Sequence, residues 1–150
     1  MKNIVTIMLC LFSLILISCD KDEQEPEKFT VVDFSATNFP QEWKLVASRA
    51  AMIPNAKVTK VEGKAESYIF NEDFTFQKKS KIEDETIIAE GTYSIDEREF
   101  IILEYLEESD LIASCNRKSK LEYLHFSDSQ LINDSWIACD GPYLYYKLVE

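Results

Sequence analysis

The chain has few side chains able to do covalent or acid–base chemistry: four cysteines and a single histidine in 150 residues. His125 lies in Leu121-Glu122-Tyr123-Leu124-His125-Phe126, where strand alternation puts Leu124 and Phe126 on one face and His125 on the other. A general base or nucleophile-activating histidine needs positioned partners, and no partner motif accompanies this one. Asp140-Gly141-Pro142 offers a carboxylate, but it reads first as a tight turn, with Gly141 expected to supply a positive φ. Gly-rich phosphate loops, Gly-x-Ser-x-Gly and His-Glu-x-x-His are absent. Asp20, Asp22, Glu23, Glu25 and Glu27 could attract Ca²⁺, but they lack the Gly-centred loop that organises oxygen ligands. The sequence therefore predicts no catalytic residue, no metal site and no cofactor.

The cysteines divide by position. Lys2 opens a positive segment, and Ile4 to Ile17 follows, 14 residues in which only Thr6 and Ser13 are polar. A membrane-crossing helix needs about 20 apolar residues, so this stretch reads as the apolar core of an export signal, residues 1–18. Leu16-Ile17-Ser18-Cys19 resembles the lipobox of bacterial lipoproteins, in which the cysteine thiol takes the lipid and cleavage falls just before it. Cys19 is accordingly the expected lipidation site, and the chain a membrane partner through its acyl chains. Removing 18 residues from 150 leaves 132, and with Lys2 gone the net charge moves from −11 to −12.

Cys10 leaves with the signal, so Cys115 and Cys139 remain as an even pair in an exported chain. They could be two buried thiols or half a metal site. With no Cys-x-x-Cys and one histidine, a disulfide is the favoured reading.

These residues must be held by strands. Asp20 to Lys28 reads DKDEQEPEK and cannot order itself, so residues 19–40 are expected to tether the lipid to a domain at 41–150. Gln41 to Val46 is the first strand. Ser67 to Phe70 and Phe74 to Gln77 flank the turn-forming Asn71-Glu72-Asp73, which makes a hairpin. Lys78 to Asp84 is polar and reads as strand end plus turn. Thr86 to Ile95 alternates, with Ile87, Ala89, Gly91, Tyr93 and Ile95 sharing one face, and Gly91 marks a bend or close approach. Phe100–Leu106, Leu111–Cys115, Leu121–Phe126, Leu131–Ile137 and Tyr143–Val149 complete the strands, and Ser127-Asp128-Ser129 is a hairpin loop. The one helical candidate is a short piece within Leu45 to Met52, stopped by Pro54. Eight or nine short strands without intervening helices indicate an all-β, antiparallel sandwich or barrel.

Several of these segments form a recognisable set: Trp43-Lys44-Leu45-Val46, Tyr68 to Phe76, Glu90-Gly91-Thr92-Tyr93-Ser94-Ile95, and Trp136 to Pro142 followed by Tyr143 to Lys147. Together they resemble the lipocalin-like lipoproteins common in Bacteroidota, over about residues 41–150. The resemblance implies a small up-and-down β-barrel of about eight strands on a lipid anchor, and it implies no defined activity. Where true lipocalins carry Gly-x-Trp in the first strand, this chain has Gln41 two residues before Trp43. Lys21-Asp22-Glu23 resembles the acidic signal that places such lipoproteins on the cell surface, and it reads equally as a solvated spacer. The expected location is the cell envelope, as an outer-membrane lipoprotein on the periplasmic side or the cell surface.

The acidic balance argues against nucleic acid, whose phosphates call for Lys and Arg. Two functions then compete. One is a barrel holding a small apolar ligand against Trp43, Tyr93, Trp136, Tyr143 and Tyr145. The other is an interaction or inhibitor-type accessory protein with a filled core, whose acidic surface steers a basic partner. An open cavity favours the first and a packed interior the second.

Overall fold

A computed structural model describes residues 38–149 of the chain. The expected export signal, the expected lipidation site Cys19 and the charged run read as a tether lie outside the described residues.

Period-2 alternation of apolar and polar residues dictates the architecture, because each strand can then bury one face and wet the other. The strands are β1 (Gln41–Arg49), β2 (Thr59–Lys60), β3 (Ala65–Phe70), β4 (Thr75–Ile82), β5 (Glu85–Ile95), β6 (Ile101–Tyr105), β7 (Leu121–Ser127), β8 (Gln130–Asn133) and β9 (Tyr143–Leu148). All pair antiparallel in the order β2-β1-β3-β4-β5-β6-β7-β8-β9, and β9 returns to pair with β1. Eight strands thus close an up-and-down barrel, with two-residue β2 added alongside the far half of β1. Val46 is the extra residue of a bulge in the closing pair, where Leu45 faces Tyr146 and Ala47 faces Tyr145.

The interior is stratified. Near the end where the chain enters, Trp43, Phe70, Phe76 and Tyr93 form an aromatic floor, each no more than 5% exposed. Phe70 and Tyr93 meet edge-to-face at 5.1 Å, and the Trp43 and Phe126 ring centres lie 5.4 Å apart. Ile101, Leu103, Leu124 and Leu131 fill the middle. Towards the other end the inward residues turn polar.

The antiparallel path sorts the connections. The entry end carries the turns 71–74, 96–100 and 128–129, and the opposite end carries 50–64, 83–84, 106–120 and 134–142. Local hydrogen bonds and backbone conformation fix the tight turns of the entry end. Asp96 Oδ1 accepts from the N–H groups of Arg98 and Phe100, both at 2.9 Å. Asp128 and Ser129 both take positive φ, as a two-residue hairpin turn requires. Cys115 and Cys139 are bonded, tying loop 106–120 to loop 134–142.

Several expectations need correction. Leu45–Met52 contains no helix: β1 continues to Arg49, because its ladder with β9 extends to Arg49↔Tyr143 and outweighs local alanine propensity. The polar run after Gln77 is mostly strand, since β4 reaches Ile82 and only Glu83–Asp84 turn. Leu111–Cys115 is not a strand. β6 and β7 pair with each other directly, so this apolar run has no ladder to join, and Ile112 enters the core from a loop. Past Asn133 the chain leaves β8 for a 3₁₀ turn, Ile137–Cys139. In that turn Asp140, not Gly141, takes the positive φ of 67°. Gly141 serves close approach instead, because a Cβ there would lie 2.5 Å from the Trp136 ring.

Candidate functional site

The polar half of the barrel interior is built from alternation that continues past the apolar residues. On β3, Glu66 precedes Tyr68 and Phe70; on β4, Lys78 follows Phe76; on β7, Glu122 precedes Leu124; on β8, Asn133 follows Leu131. The same period that buries the hydrophobes therefore buries two carboxylates, an ammonium and an amide, together with Tyr105 and Tyr146.

Glu122 is the hub. Its Oε1 accepts from Lys78 Nζ at 2.9 Å, from the Ala113 backbone N–H at 2.9 Å and from Asn133 Nδ2 at 2.6 Å. Its Oε2 accepts from the Tyr105 hydroxyl. Asn133 Nδ2 also reaches the Tyr68 hydroxyl at 2.9 Å. Glu66 forms the second node: Oε1 accepts from Tyr146 at 2.6 Å and lies 3.7 Å from Lys78 Nζ, and Oε2 pairs with Lys64 at 2.8 Å. The Lys78 ammonium also sits 4.9 Å from the Tyr68 ring centre. Two carboxylates are thus matched by two lysines, one fully enclosed and one at the rim.

Protonation follows from these contacts. Burial pushes the Glu66 carboxyl up, but the Lys78 charge and the hydrogen bonds from Lys64 and Tyr146 together hold it below the ordinary carboxylate value. Burial, reinforced by the neighbouring carboxylates, raises the hydroxyls of Tyr68, Tyr105 and Tyr146 well above the ordinary tyrosine value. The tyrosines therefore stay neutral, with Tyr105 and Tyr146 donating to the carboxylates and Tyr68 accepting from Asn133. Both oxygens of each carboxylate are engaged by protein donors, so the network holds itself together and fixes the strands that supply it. The nearby Ser80 Oγ is buried without a hydrogen-bond partner.

The aromatic residues expected to bind a ligand are not brought together. Trp43 and Tyr93 face inward, with Trp43 Nε1 donating to Gln41 Oε1 at 3.3 Å and Tyr93 OH to Asn71 O at 2.9 Å. Gln41, two residues before Trp43 on the same face of β1, thus supplies the acceptor that a buried indole needs. Tyr143 and Tyr145 alternate with the inward Leu144 and Tyr146 and lie on the outer face, where the Arg49 guanidinium stacks 4.1 Å from the Tyr143 ring centre. Trp136 sits half-buried over Gly141, with Nε1 donating to Pro142 O at 3.2 Å. His125 is also on the outer face, 3.8 Å from Asp134 Oδ1 and against Phe100. Among the described residues no group of three His, Cys, Asp or Glu is arranged to hold a metal ion.

One groove in the barrel wall, of about 230 Å³, crosses β1, β3, β4 and the start of β5 and is lined by Leu45, Lys64, Glu66, Lys79, Lys81 and Thr86 among others. A larger one, about 430 Å³, lies between β5 and the start of loop 106–120, lined by Ile88, Ala89, Glu90, Leu106, Glu107, Glu108 and Ser109. Sequence reasoning overlooked both the polar network and this groove. The network left a legible trace, charged residues in register with apolar ones, whereas the groove depends on where β6 leaves the ladder.

No protein-family model matches the chain, and no curated protein or solved structure matches it.

Proposed function

We propose that this chain is a lipid-anchored barrel of the bacterial cell envelope that acts by binding a partner protein on its outer surface. The carrying observation is the filled interior. Trp43, Tyr68, Phe70, Phe76, Lys78, Glu122 and Tyr146 are each no more than 1% exposed and pack or hydrogen-bond to one another across the barrel. An eight-stranded barrel has room for side chains or for one small ligand, and here side chains take the space. The alternative, a small apolar ligand inside, also loses support from the separation of its expected aromatic residues onto two faces.

The anchor follows from Cys19 and the apolar segment before it. The described chain enters β1 at the end of the short turns, so a tether attached there turns the long loops away from the lipid. That orientation suits a surface that meets partners.

Native mass spectrometry of the protein purified without its lipid tests the reading. The expected mass is that of the polypeptide with one disulfide, and a stoichiometric co-purified hydrophobe would overturn the filled-core role. For the anchor, Cys19→Ala is expected to move the protein from the membrane to the soluble fraction. Continued membrane retention would remove the lipobox.

A further inference from the structure

The barrel wall is incomplete beside β5. β5 pairs with β4 along its whole upper half, from Gln77↔Glu90 to Ile82↔Glu85. Its other neighbour, β6, stops at Tyr105 opposite Gly91, and the last bond between them is Leu106 N–H to Glu90 C=O at 2.9 Å. Beyond that point Glu85–Ala89 has no strand on its outer edge among the described residues. Because Glu90 C=O points to that edge, the backbone groups of Ile88 and Thr86, two and four residues back, point the same way. Ile88 thus presents its donor and acceptor to the groove of about 430 Å³, which has Ala89 at its base and exposed Ile88 and Leu106 on its walls, and Thr86 continues the open edge beyond it.

Charge decides what fits. The groove is rimmed by Glu90, Glu107 and Glu108, with Glu104 and Asp110 beside it. Three lysines stand close by, with Lys120 Nζ donating to Leu106 O at 2.6 Å and Lys79 and Lys81 paired across β4 with Ile88 and Thr86, but none of them lines the groove, whose charged side chains are all carboxylates. The tether of this chain is itself acidic and joins the barrel at the opposite end, and a second copy would bring net charge of the same sign.

We propose that the outer edge of β5 over Glu85–Ala89 docks an extended, basic segment of a partner protein, which adds there as a further strand. The proposal rests on the surface role argued above. Main-chain hydrogen bonds to Thr86 and Ile88 supply the affinity, and alternate side chains supply the selection, apolar beside Ile88 and cationic beside Glu90. Five residues of edge span about 17 Å at the rise of a strand, enough for one short segment.

The test uses the chain from residue 20 onward, which keeps the whole barrel, and a fluorescein-labelled heptapeptide of alternating Lys and Val, with alternating Glu and Val as counter-probe. The Lys peptide is expected to bind saturably by anisotropy and to slow amide exchange at Thr86 and Ile88. The Glu peptide is expected to bind roughly tenfold or more weakly. Ile88→Pro removes one edge donor that β4 does not use and should abolish binding. The double variant Glu107→Lys with Glu108→Lys changes only exposed loop residues and should weaken binding roughly tenfold at low salt; it decides the matter if the proline variant misfolds. Absence of saturable binding, or binding indifferent to both variants, overturns the β5 site. Exchange protection confined to another part of the barrel also overturns it but leaves the surface role standing, whereas a hydrophobe retained in native mass spectrometry removes that role itself.

Discussion

Lys78 shows how one side chain can govern a core. Its ammonium lies between Glu122 at 2.9 Å and Glu66 at 3.7 Å, fully enclosed. Removing one member of a buried ionic set leaves the others uncompensated, at a cost of about 3–5 kcal/mol. Lys78→Met is therefore expected to lower the free energy of unfolding in urea by that amount. Adding Glu122→Leu should restore part of the loss, because the two changes act on one interaction. The titrating groups give a pH signature with two limbs. Glu66 is held below its ordinary pKa of 4.5, so the stability it contributes is complete above that value and is lost as pH falls through the lowered pKa. Glu66→Gln should flatten the acid limb of stability against pH. Tyr68, Tyr105 and Tyr146 are raised well above 10, so their contribution is complete below pH 10 and is lost as pH rises beyond it, where the unfolded chain ionises first. Tyr146→Phe should make the alkaline limb shallower, measured by urea unfolding followed by circular dichroism. Lys78 and Glu122 are legible in the sequence as charges in phase with Phe76 and Leu124, but alternation cannot say that they meet, because they come from strands 44 residues apart.

Among the strands and loops, close approach and crosslinking do the positioning. Gly91 on β5 lies where a Cβ would come within 2.0 Å of the Glu104 carbonyl oxygen and 2.8 Å of Phe76 Cε1. Gly91→Ala is expected to destabilise the barrel by about 1–3 kcal/mol through overpacking, read from the urea midpoint. The close approach is readable in the sequence, since a glycine inside an alternating strand leaves a gap that a neighbouring backbone or ring can enter. The disulfide has a consequence beyond the loop it closes. Loop 106–120, which it ties down, contributes the Ala113 N–H to Glu122 and Ile112 to the core. Closing a loop of this separation contributes about 3.5 kcal/mol in the chain-entropy account. Reduction should therefore lower stability by up to that amount and speed amide exchange at Ala113 while leaving β-sheet circular dichroism in place. Leu111–Cys115 has the pattern of a strand without being one, because a short apolar run looks the same whether it joins a sheet or enters a core from a loop.

Closure makes the barrel one cooperative unit. β1 and β9 stand at the two ends of the described chain yet pair over six positions, from Trp43↔Leu148 to Arg49↔Tyr143. A chain truncated before Tyr143 loses Tyr146, the partner of Glu66, and leaves both β1 and β8 with open edges. It is expected to lose its cooperative thermal transition, and a retained sharp transition would show that closure is dispensable.

Alternation, turn residues and the scarcity of helix signals were enough to specify an antiparallel all-β fold, sandwich or barrel, and most of its hairpins, because those depend on neighbours a few residues apart. Closure into a barrel was what the lipocalin-like resemblance implied. The cysteine pair was also readable, because Cys10 and Cys19 fall in the segment read as export signal and lipobox, which left Cys115 and Cys139 to meet. Tertiary structure alone decided how the interior is filled, which aromatic rings face inward and where the wall is left open. Each of these depends on register between distant strands. A shift of one residue would turn Lys78 and Glu122 out to solvent, and the point where β6 leaves β5 is set by packing that no local pattern records.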